Sequence, residues 1–134
     1  MTIRRQVVWL LVFSSVGLIA ELVLIRHWDG VWQVVPLALL GLGLLVVAVR
    51  ASTRVMRGVM GLFILSGLVG TFLHYLGKVE FALERNQALT GWALIRETLK
   101  GTSPPILAPG AMIAIGLLGL VAVSKDDRQE RGSP

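Results

Sequence analysis

Four long apolar runs separated by short polar stretches set the plan of this chain. Residues 6–25 are apolar almost throughout, and so are 31–49, 55–77 and 106–123. A hydrocarbon core of roughly 30 Å takes about 20 helical residues at 1.5 Å each, so every run is about long enough to span. The pattern predicts an all-α fold, an integral membrane four-helix bundle in which residues 1–123 form one transmembrane domain. Arg4 and Arg5 precede the first run as they would in a signal peptide. That run exceeds the usual apolar length of about 7–15 residues and no small-x-small cleavage site follows it, so we read it as a retained helix.

The punctuation agrees with this division. Arg26, His27, Trp28, Asp29 and Gly30 make a polar turn into the second span, and Pro36 lies near that span's start, where a proline costs least. Ser103 before Pro104 and Pro105 is a start signal for the fourth span, with Pro109 one turn in. The loop over 78–103 has internal order: Thr90 as N-cap, Trp92, Ile95 and Leu99 at helical spacing and Gly101 as a stop predict a short amphipathic surface helix over 91–100. After Val123 the sequence SKDDRQERGSP has mixed charge and no apolar period, which predicts a disordered cytoplasmic tail over 124–134.

Composition supports a bilayer setting. With 54% hydrophobic and 16% charged residues the chain is too apolar for an ordinary soluble domain, and the absence of cysteine removes disulfides, thiolate metal sites and dithiol relays. The net charge of +5 does not form a patch with interleaved aromatics, so we expect no nucleic-acid partner. Lys and Arg cluster at the ends of the spans instead. Eight (Arg4, Arg5, Arg50, Arg54, Arg57, Lys125, Arg128, Arg131) fall on one side and five on the other, which places both termini in the cytoplasm. Trp28, Trp32 and Trp92 then form an outer aromatic belt.

Two spans share a pattern of chemical interest. Ser14, Gly17 and Glu21 in the first are spaced +3 and +4, as are Gly67, Gly70 and His74 in the third. Each helix carries two small residues leading to one ionisable group, and small residues let helix backbones approach. An ionisable side chain costs roughly 2.5–3.5 kcal/mol at a lipid-facing helix centre. Glu21 and His74 are therefore expected to face protein as a buried polar pair across a seam between the first and third spans. Gly110 and Ala114 form a further small-residue pair suited to helix contact, with another membrane subunit or in a homo-oligomer.

Beyond His74 come Glu80 and Glu84, which share a helix face where like charges repel. Lys78, Arg85 and Arg26 would balance them in a solvated headgroup zone. The sharper alternative is a divalent metal held by His74, Glu80 and Glu84, with Glu21 or His27; such ligands suit zinc, manganese or non-haem iron. His74 and Glu80 are about 240° apart on an unbroken helix, so this metal site requires a break at Gly77. His27 and His74 together are the ligand type for a bis-histidine b-type haem. No P-loop, GxSxG, HExxH or EF-hand pattern occurs.

Two function classes follow: a non-enzymatic subunit or small-ligand or cation binder with an outer polar site, or a membrane redox or metal enzyme subunit using haem, metal or quinone there. The lack of a nucleophile or acid–base constellation favours the first.

Overall fold

In a computed structural model of the protein, residues 2–101 and 107–131 are described, except for the side chains of residues 107 and 125–131. All regular structure among them is helical: α1 (Ile3–Leu24), α2 (Val31–Ala48), α3 (Thr53–Arg85), α4 (Gly91–Lys100) and α5 (Leu107–Arg131). Three of these, α1, α2 and α3, are long and apolar enough to cross a membrane, and a shorter apolar helical stretch occupies Ala108–Ser124. Ser103, Pro104, Pro105 and Ile106, which carry the expected start of the fourth span, lie outside the described residues. The backbone of α5 stays helical past Val123 as far as Arg131, into the segment that composition assigned to a disordered tail.

The helix ends follow from local chemistry. Thr2 and Ser52 cap α1 and α3, their hydroxyls accepting from the amides of Arg5 and Val55 at 3.4 and 3.5 Å. At their other ends, α1 and α2 close in the same way. Arg26 and Arg50 take left-handed φ of 52° and 50°. The next residues, His27 and Ala51, each donate an amide at 2.9 Å to the carbonyl five residues back, Leu22 and Val46. This is a Schellman closure with arginine where glycine is usual, and α1 and α2 therefore stop without a glycine to announce it.

Packing follows a cyclic order. α1 contacts α2 and α5, while α3 contacts α2, α4 and, most extensively, α5. The first and third spans thus stand opposite each other, and the expected α1–α3 seam is replaced by an α3–α5 seam. Glycines permit it. A Cβ on Gly67 would lie 2.5 Å from Ile113 Cγ1 and 2.7 Å from the Pro109 carbonyl oxygen, and one on Gly116 would lie 2.8 Å from the Met60 oxygen. A Cβ on Gly119 would collide with Met60, and Gly70 meets Pro109 at 3.3 Å. Gly43 does the same for the α2–α3 contact against Phe63.

The core between these helices is built from Leu11, Leu18, Leu22, Leu40, Met60, Phe63, Met112 and Ile115. It leaves much apolar surface outside: Phe13 is 78% exposed, Leu24 82% and Phe72 60%. An apolar surface of this extent suits lipid, not water. Gly17 belongs to it: the residue is exposed, and a Cβ there would meet nothing within 4 Å. Gly110 and Ala114 face outward too. Hence the stripe Ser14–Gly17 is not the counterpart of Gly67–Gly70.

The two stripes respond differently to added bulk. Gly67→Val and Gly116→Val are expected to lower stability in detergent by about 1–3 kcal/mol through overpacking, whereas Gly17→Val changes it by less than about 0.5 kcal/mol. Thermal unfolding followed by circular dichroism checks this, and equal losses at all three positions would refute the assignment of the seam.

Candidate functional site

The end of α1, the start of α2, the middle of α3 and the start of α5 line a half-open cavity of about 590 Å³. Its walls are mainly apolar, from Leu22, Ile25, Pro36, Leu73, Pro109 and Met112. Its polar groups come from four places: Glu21 near the end of α1, His27 in the turn, Gln33 at the start of α2, and Ser66 and His74 on α3. Glu21 is exposed and His74 half-buried, so they are not a buried pair, yet both line one cavity although their helices stand opposite each other. His27 joins them, its ring centre 6.3 Å from that of His74 with the planes inclined by 32°.

The turn that carries His27 is a built structure. His27 follows the left-handed Arg26, and its amide is tied to Leu22, itself 1% exposed in the core. Gln33 Oε1 accepts the Asp29 amide at 2.9 Å, which fixes the far side of the turn to the first turn of α2. Pro36 has no N–H to close a helical bond onto the Trp32 carbonyl. Both residues line the cavity, so the α2 backbone there retains acceptor capacity beside it. On α3, Thr71 Oγ1 donates back to the Gly67 carbonyl at 2.8 Å, one turn before His74.

Glu80 and Glu84 lie elsewhere. α3 runs from Thr53 to Arg85 without interruption, so Gly77 does not break it. Both glutamates are exposed on the helix beyond His74 and neither lines this cavity. Among the described residues, no three His, Asp or Glu side chains come together to hold a metal ion, and the His74–Glu80–Glu84 cluster fails on the geometry of the straight helix.

Sequence reading missed Gln33 and Ser66, each unremarkable in its own helix, and took Pro36 only as a helix-start signal and not as a cavity residue. It also missed Lys78, which is buried and donates from Nζ to the Gly101 carbonyl at 2.7 Å, pinning the end of α4 to α3. A lysine at the edge of a span reads only as a topology residue until the fold supplies its acceptor.

No protein-family model, curated protein or solved structure matches this chain. Any functional reading therefore rests on the site itself.

The Arg26 turn gives a direct test of how His27 is held. Arg26→Gly removes the side-chain penalty of the left-handed conformation and should raise stability by about 0.5–1 kcal/mol, while Arg26→Val should lower it by about 1–2 kcal/mol. Unfolding midpoints in detergent measure both; a stabilising Val substitution would contradict the geometry.

Proposed function

We propose that this chain is a four-helix bundle that crosses the membrane four times, with α1, α2, α3 and the apolar part of α5 as the spans and both termini in the cytoplasm. On this reading it is a non-enzymatic protein that holds a small amphipathic molecule in the outer cavity. The observation that carries the proposal is the convergence of Glu21, His27 and His74, from two helices and a turn, on a single largely apolar cavity of about 590 Å³. Volumes of about 300–1,000 Å³ with a few placed polar groups are typical of small-molecule sites.

A quinone-like head group suits this lining. It is flat and apolar in body, its carbonyl oxygens accept hydrogen bonds from imidazole N–H groups, and its reduced form offers hydroxyls to the Glu21 carboxylate. The nearby apolar outer surface gives such a molecule a route in from the bilayer. The open face of α5 at Gly110 and Ala114 is where another membrane subunit, or a second copy, would pack.

One observation favours a second reading, in which His27 and His74 would hold a b-type haem: their ring centres lie 6.3 Å apart at one cavity. Such a group would supply one-electron chemistry when bound.

Protein purified in mild detergent separates these readings. A short-chain ubiquinone analogue is expected to raise the unfolding temperature, and His74→Ala, His27→Ala and the cavity-filling Ser66→Phe are expected to abolish that rise. A Soret band lost in either histidine variant would establish the haem reading. No stabilisation by the quinone analogue, together with no Soret band after haem supplementation, would defeat both.

Topology is tested on its own, helped by the absence of native cysteine. Cysteines introduced at Asp29 and Gln87 should react with an impermeant maleimide from outside intact cells, and one at Ser52 should react only after lysis. The reverse pattern would invert the orientation.

A further inference from the structure

A second cavity, also of about 590 Å³, lies between the last turns of α3 and the helix α4. Lys78 and Arg85 from α3 and Lys100 from α4 line it, against one carboxylate, Glu97. Phe81 and Leu89 supply apolar wall. We propose that this cavity binds the phosphate-bearing headgroup of an anionic phospholipid from the leaflet in which it lies.

Three observations converge on that ligand. The first is the state of Lys78. Its side chain is 8% exposed, yet its Nζ makes one hydrogen bond, to the uncharged Gly101 carbonyl. An ammonium has three N–H donors, and a buried charge is costly unless an opposite charge compensates it. Among the described residues, neither Lys78, Arg85 nor Lys100 forms an ion pair with Glu97, and Arg85 instead stands 5.9 Å from the centre of the Phe81 ring. The cavity thus concentrates positive charge and leaves donors for an anion.

Depth is the second observation. An α3 of 33 residues measures about 50 Å at 1.5 Å per residue. The hydrocarbon core takes roughly 30 Å of this and the headgroup layers extend the bilayer to about 40–45 Å. With the apolar stretch 55–77 in the core, Lys78 is the first residue beyond it and Arg85 stands about 10 Å further out. This is the level of lipid phosphates.

The third is the outer surface of α4. Its side toward α3 buries Thr98, at 1% exposure, while Trp92 is 76% and Leu99 66% exposed. An amphipathic helix with exposed Trp and Leu lies in the interface with its apolar residues toward acyl chains. The cavity therefore opens where a lipid's phosphate and chains are both at hand, which favours a membrane lipid over a free phosphate ester. The excess of cations over carboxylate favours a headgroup with net negative charge over a zwitterion.

This inference depends on α3 crossing the bilayer and not on what occupies the histidine cavity, so the quinone and Soret tests fail or succeed separately from it. The experiment is native mass spectrometry of the full chain released from mixed micelles of phosphatidylglycerol or phosphatidylcholine. The wild-type protein should retain phosphatidylglycerol in preference to phosphatidylcholine. At about 1 kcal/mol for each basic group near a charged membrane surface, Arg85→Gln should weaken retention about fivefold and Arg85→Gln with Lys100→Gln about thirtyfold.

Arg96→Gln is the control, because Arg96 is an exposed cation of α4 that does not line the cavity. It should leave retention unchanged. Equal retention of both lipids, or an Arg96→Gln loss as large as that of Arg85→Gln, would overturn the proposal in favour of nonspecific surface charge. Displacement of the lipid by millimolar inorganic phosphate would overturn it in favour of a soluble phosphate ligand. Because neither Arg85 nor Lys100 is buried, these variants retain the fold, and unchanged circular dichroism verifies this.

Discussion

The close approach of α3 and α5 is the constraint on which the other features depend. Gly67 on one helix and Gly116 on the other leave no room for a side chain between backbones, while Gly70 and Gly119 lie close against the side chains of Pro109 and Met60. In a membrane such contact is valuable because lipid tails are as apolar as leucine, so burying apolar side chains against each other gains little and dispersion at close range must hold helices together. The seam also decides what lies at one of its ends. Pro109, which rests on Gly70, lines the same cavity as His74.

Much of the architecture was legible from the chain alone because it rests on one-dimensional information. Apolar run length marks the helices, and α4 (Gly91–Lys100) matches its expected bounds through its apolar spacing and terminal glycine, although Thr90 makes no side-chain cap bond. The partners of the helices were not legible. The stripes Ser14–Gly17–Glu21 and Gly67–Gly70–His74 have identical spacing, yet Gly17 is exposed while Gly67 is enclosed. Spacing states that a helix has a face suited to contact; it carries nothing about which neighbour uses it. A glycine on an open helix face and a glycine opposite Ile113 are the same letter.

The site was half legible for a related reason. Glu21, His27 and His74 stand out as ionisable groups near apolar runs, and all three reach one cavity. Gln33 and Ser66 do not stand out, since single polar uncharged residues in such helices are ordinary. His27 is instructive in another way. A histidine in a connecting turn suggests a solvated side chain, but the turn is closed by a left-handed arginine that no glycine signals. Gly77 left a question open, since glycine permits the helix break that a shared metal site required; α3 continues through it because its flanks Leu76 and Lys78 remain good helix formers.

That continuity has a mechanical meaning. His74 and Lys78 are one turn apart on nearly the same side of α3, and each lines a different cavity. With no hinge between them, the helix acts as a common piston rod. Any sliding or twisting of α3 that reshapes the histidine cavity must carry Lys78 along, and with it the Gly101 carbonyl and the end of α4. The two cavities are thereby joined through a single unbroken helix.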